Sequence, residues 1–143
     1  MRKSKRPKRP RIPPVVVQPN AATLQFSFKH LDSTNPRFPL EACSAEFWMS
    51  LILEIHRYSQ WTVDMFNDQN NDDHRHILVF EETSEPDGFA QLDTEQLAYL
   101  EAWQFAVGVQ HWRVMGFILD NIFYVIWLDP HHALYGGFAP NSG

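Results

Sequence analysis

Apolar and polar residues alternate from Thr23 to His30, with Leu24, Phe26 and Phe28 separated by Gln25, Ser27 and Lys29. A period of two predicts a strand over residues 24–29 with one buried face. The stretch "STNPRFPLEACS" then breaks the pattern with turn residues, and its Ser44 suits a helix N-cap. Phe47, Leu51, Ile55 and Tyr58 recur at helical spacing, with Trp48 and Ile52 widening the stripe. Residues 45–60 therefore read as an amphipathic helix whose aromatic and aliphatic face belongs to the core.

A shorter helix is expected after Thr62, a plausible cap, with Asp64 in a first turn where a carboxylate suits the helix dipole. Its apolar period ends at Asn67. Residues 77–80 form a brief strand candidate and "EETSEPDGF" a loop, while Asp93 and Gln96 resemble a capping box for a helix running to about Glu101. The segments "AWQFAVGV", "HWRVMGFILD" and "NIFYVIWLD" are rich in β-branched and aromatic residues and predict a meander with strands over 103–107, 112–119 and 122–128. The last two are almost continuously hydrophobic, the mark of central strands covered on both faces.

With Asp120-Asn121 as a two-residue turn, Leu119 faces Ile122, Arg113 faces Leu128 and His111 faces Pro130. The open end of this hairpin then gathers His111, Arg113, Asp129, His131, His132 and Tyr135. A one-residue bulge would change the face that Arg113 shares, though not the end at which it lies. The elements add up to a single α+β domain over residues 21–138, a mostly antiparallel sheet packed against one long helix and one or two short ones. Residues 139–143 read as a flexible tail.

Charge changes this picture at the N-terminus. Of the 12 Lys and Arg residues, seven fall within the first 11 positions: Arg2, Lys3, Lys5, Arg6, Lys8, Arg9 and Arg11. Only Lys29, Arg37, Arg57, Arg75 and Arg113 remain to face 17 acidic residues, so the body is strongly acidic. The Pro-rich segment 1–20 has no hydrophobic period and reads as a disordered arm. Its functional reading is phosphate contact, on RNA or the ribosome, by counterion release; the plainer reading is a solubility tail or an arm folded back on the acidic body. No apolar run reaches the roughly 18 residues of a membrane span, and no signal-peptide core is present. A single cysteine, Cys43, excludes an internal disulfide framework, in keeping with a cytoplasmic protein.

The stretch "WTVDMFNDQNNDDHRHILVF" concentrates ionisable groups in front of an apolar strand. It reads as a nucleic-acid cleavage site, a metal site or a solvated loop. In the metal reading, His74 and His76 at i, i+2 share a strand face and Asp72, Asp129 or His131 complete the ligands. No HExxH, paired CxxC or EF-hand spacing supports that reading, and no Gly-rich phosphate loop or nucleophile elbow points to nucleotide hydrolysis or acyl transfer.

The order of elements, with "WRVMGF" followed by "FYVIWLDPHHALY" and an aromatic Tyr135 just past the last strand, resembles the RelE/ParE superfamily of bacterial toxins over residues 23–135. That resemblance implies RNA cleavage by groups on the sheet and C-terminal segment, no cofactor, and an antitoxin protein and RNA or the ribosome as partners. Its members are usually basic, whereas this body is acidic. Metal-free RNA scission needs a base near the 2′-OH, a cation at the phosphate and an acid for the departing oxygen. The candidates are His74, His76, His131 and His132 for proton transfer, Arg75 and Arg113 for phosphate, and Tyr135 to stack a base. Asp72 and Asp73 would hold and polarise these cations. A different class of function fits the same charge pattern: a noncatalytic module that offers an acidic surface to a basic protein, or binds nucleic acid, with the arm as a tether.

Overall fold

A computed structural model describes residues 22–68, 74–92, 100–108 and 112–136. The alternation at Leu24 becomes a three-residue strand, β1 (Gln25–Ser27). Helix α1 (Ala45–Tyr58) follows, then the single-turn α2 (Val63–Asn67) and strand β2 (Arg75–Ile77). The meander is β3 (Ala102–Val107), β4 (Trp112–Leu119) and β5 (Ile122–Asp129), closed by one helical turn, α3 (Ala133–Gly136). The sheet order is β1-β5-β4-β3-β2; β1 runs parallel to β5 and every other pairing is antiparallel. The fold is therefore α+β, with a mostly antiparallel sheet. Both expected caps form: Ser44 Oγ accepts the Phe47 N–H at 3.0 Å, and Thr62 Oγ1 accepts the Met65 N–H at 3.2 Å.

Both sheet faces are covered, as the hydrophobicity of β4 and β5 requires. On one side Phe47, Leu51 and Tyr58 of α1 and Phe66 of α2 pack on Trp103, Phe105, Val114, Phe123, Val125 and Leu128. On the other, Phe38, Leu78, Phe89 and Leu134 close over Met115, Phe117, Ile126 and Trp127. Irregular segments do the work of a second helical layer there: Trp127 stacks on Phe38 with ring centroids 4.7 Å apart and donates its Nε1–H to Asp32 at 3.1 Å.

Three expectations are corrected. Ile52 is 60% exposed, because it lies on the side of α1 turned away from the sheet, together with Met49 and Leu53. The strand expected over 77–80 is displaced to Arg75–Ile77, and Phe80 instead opens a 3₁₀ turn, its ring edge-on to Phe89 at 5.0 Å. The hairpin turn at Asp120-Asn121 pairs Leu119 with Ile122, but Arg113 faces Asp129 and not Leu128. Between Met115 and Gly116 the register shifts: Met115 pairs with Trp127 and Gly116 with Val125, leaving Ile126 as the extra residue of a bulge. The helix expected from the cap at Asp93 and Gln96 lies outside the described residues, and Glu101 leads directly into β3.

Gly116 makes this close approach possible. A Cβ there would lie 2.0 Å from the Tyr124 carbonyl oxygen and 2.6 Å from the Phe123 ring. Only the absence of a side chain lets the two strands meet at the bulge.

Candidate functional site

Strand alternation sorts the chemistry-bearing residues between the two faces. Phe105, Val114 and Leu128 point to the α1 side, so Gln104, Arg113 and Asp129 point to the other. Arg75 belongs to the α1 side, which turns His76 to the same face as Gln104 and Arg113. The Ala106 N–H donates to the His74 carbonyl at 2.9 Å, so His74, Ala106, Arg113 and Asp129 form one row across four strands. His76, Gln104, Met115 and Trp127 form the next row. Two strand spacings separate His74 from Arg113, about 10 Å between their backbones. His74 and His76 are exposed and Arg113 is half-buried.

Arg75 goes elsewhere. It is 0% exposed, and its Nε–H donates to the Phe66 carbonyl at 2.9 Å and its Nη2–H to the Asp68 carbonyl at 2.7 Å. Its guanidinium lies 4.8 Å from the Trp61 ring centroid and 5.4 Å from that of Phe66. A cation wholly buried between aromatic rings and backbone carbonyls cannot meet a phosphate arriving from solvent. The expected phosphate contact of Arg75 is corrected accordingly: it ties β2 to the end of α2.

Asp129 organises the end of the hairpin. Its two carboxylate oxygens accept the Ala133 N–H at 2.7 Å and the Leu134 N–H at 2.9 Å, fixing α3 over the sheet edge. His132, at φ 55°, takes the left-handed turn that aims those N–H groups back at the carboxylate. Ser84 completes the attachment, its N–H donating to the Leu134 carbonyl at 2.8 Å and its hydroxyl to that of Ala133 at 3.0 Å. Burial raises the Asp129 carboxyl above its ordinary range, opposed by those two backbone donors and by His132. Burial lowers the Arg113 guanidinium, while Asp129 opposes that shift through space; its Nη1–H donates to the Trp112 carbonyl at 2.9 Å. His131 is exposed at the same end. Tyr135 is half-buried against the second core, with desolvation raising its hydroxyl and the Val79 backbone lowering it.

The chain matches no family model, no curated protein and no solved structure. His74, His76 and Arg113 share a face, and His131 and Tyr135 stand at the same end of the sheet, beyond β5. Asp72, Asp73, His111 and the seven arm cations lie outside the described residues. Among the described residues no group of three or more His, Cys, Asp or Glu is placed to hold a metal ion, and no helix is long and apolar enough to cross a membrane.

Two residues that matter here escape pattern reading. Asp129 as a helix anchor was not legible, since its carboxylate accepts from N–H groups four and five residues on, outside the N-cap position. Gln104 was not legible, because a single polar residue inside a strand reads as its solvent face. In fact it is 8% exposed.

Proposed function

We propose that this chain is a RelE/ParE-like toxin that cleaves RNA without a metal ion. The observation that supports the reading is the shared face of His74, His76 and Arg113, with His131 at the same end of the sheet. In this scheme His76 takes the proton of the 2′-OH, whose oxygen attacks the adjacent phosphorus. Arg113 faces the nonbridging oxygens as negative charge builds, and His74 or His131 protonates the departing 5′-oxygen. The products are a 2′,3′-cyclic phosphate and a free 5′-hydroxyl, with one proton removed and one returned. The low-dielectric position of Arg113 strengthens its attraction for a phosphate. The acidic body opposes approach of a polyanion, and the seven cations of the arm supply the attraction that the body lacks.

Induced expression tests the reading, with growth and RNA integrity followed together. The intact chain should arrest growth and fragment RNA, with a bell-shaped pH dependence between roughly pH 5 and 8. His76→Ala should abolish cleavage with the fold unchanged, and chelators should have no effect. Deleting residues 1–11 should weaken RNA binding and flatten its salt dependence. Intact RNA throughout induction rejects the proposal.

A second reading has its own support. Met49, Ile52 and Leu53 are 60%, 60% and 59% exposed on the outer side of α1, and the exposed carboxylates of Glu41 and Glu46 lie near its N-terminal end. An apolar stripe bordered by negative charge suits an amphipathic basic helix of a partner protein, which an antitoxin would supply equally well. Ile52→Asp combined with Glu46→Lys should abolish such binding while sparing any RNA cleavage.

A further inference from the structure

Towards the hairpin turn, at the end of the sheet away from His74 and Arg113, the second sheet face carries a cavity of about 450 Å³. Its floor is Phe89, Ala102 and Phe117, and Ile77 and Phe80 form its walls. Ile77 is 36% exposed, so apolar surface faces water where a ligand would cover it. The volume falls within the roughly 300–1,000 Å³ of pockets that hold small molecules. One wall is fixed before anything binds. Phe80 stands edge-on to Phe89 at 5.0 Å and lies against Gly88, whose φ of 70° and missing side chain admit it; a Cβ there would come within 3.1 Å of the Phe80 ring. A preformed concavity loses little conformational freedom when it is filled.

Asp87 and Glu101 line the same cavity and are exposed, which places them at its mouth. Neither carboxylate has a hydrogen-bond or ion-pair partner among the described residues. Arg37 and Arg57 pair with Glu85 and Glu54, and Arg75 is buried, so these cations do not neutralise them. Two carboxylates above a phenyl-lined floor match a positive charge carried on an apolar body. An anionic ligand would be repelled, and an uncharged one would gain nothing from the pair.

We propose that this cavity binds a small organic cation, an aromatic or alkyl amine whose hydrocarbon part rests on Phe89, Ala102 and Phe117 while its ammonium meets Asp87 and Glu101. The site shares no residue with the RNA-cleavage reading and does not depend on it.

The test titrates the isotope-labelled full chain at neutral pH, followed by two-dimensional NMR, with phenethylamine as the cation, phenethyl alcohol as its uncharged counterpart and phenylacetate as the anion. The amine should saturate on the order of 1 mM, with amide shifts centred on Gly88, Phe89 and Ala102. The alcohol should bind about 5- to 10-fold more weakly, and phenylacetate not at all. Asp87→Asn combined with Glu101→Gln should lower the affinity for the amine to that for the alcohol, with the fold unchanged because both groups are exposed. Ala102→Leu, which fills the floor, should abolish binding of both; the carboxamide pair decides the matter if the leucine disturbs the fold. Absence of saturation by the amine, equal affinity for amine and alcohol, or shifts centred elsewhere overturns the assignment. Binding of a lysine-containing peptide without any binding of the amine also overturns it, since the cavity then belongs to a protein partner.

Discussion

Replacing Arg75 separates a structural cation from a catalytic one. Arg75→Met keeps the length of the side chain and removes two hydrogen bonds from a charged donor, those to the Phe66 and Asp68 carbonyls at 2.9 and 2.7 Å. Each such bond contributes about 1.5–3 kcal/mol. The guanidinium also lies within 6.0 Å of three aromatic centroids, those of Trp61, Phe66 and Tyr58. Contacts of this kind add ~0.5–2 kcal/mol when desolvated. Against these losses stands the relief of no longer burying a charge, several kcal/mol in itself. The net expectation is a destabilisation of about 3 kcal/mol, or a fall in thermal midpoint on the order of 10 °C for a domain of this size. Arg75→Lys keeps the charge, but its single ammonium cannot reproduce the planar fork, so it should fall in between. The assay is thermal and urea unfolding followed by circular dichroism, with RNA cleavage measured well below the midpoint. If Arg75→Met melts within about 2 °C of the wild type yet loses cleavage, the structural argument is refuted and Arg75 acts directly.

Gly116→Ala should yield no soluble folded protein, because the new methyl meets the backbone oxygen of Tyr124 and neither strand can retreat without breaking the bulge; soluble expression with a wild-type midpoint would refute the close approach. A pH effect follows from Asp32. Burial acts to raise its carboxyl, but the hydrogen bonds from Trp127 and Thr34 outweigh it and hold the group below its ordinary value. Its stabilisation is therefore present above the unfolded value near ~3.9 and is lost as pH falls through the lower folded value. Asp32→Asn should flatten the loss of stability below about pH 4, measured by urea unfolding at stepped pH, and an unchanged acid limb would rule out this linkage.

Much of the fold can be read directly from side-chain periodicity. The 3.6-residue spacing of Phe47, Leu51, Ile55 and Tyr58 defines α1. Ser44 and Thr62 cap the helices they precede, and the continuous apolar runs of β4 and β5 identify strands buried on both sides. These features are local: each depends on residues within one or two turns or on the composition of a single strand. The sequence also singled out His74, Arg75, His76, Arg113 and the segment from His131 to Tyr135, of which the strand register places His74, His76 and Arg113 on one face. Long-range pairing decided the rest. The face on which each group lies follows from the parity of the strand register, which one extra residue reverses. The bulge at Ile126 therefore set Arg113 opposite Asp129 and not Leu128. The burial of Arg75 depends on the carbonyls at the end of α2, and the orphan oxygen of Gln104 on what covers the second face. Neither is visible in a run of neighbouring letters, because desolvation is a property of the assembled sheet and its two covering layers.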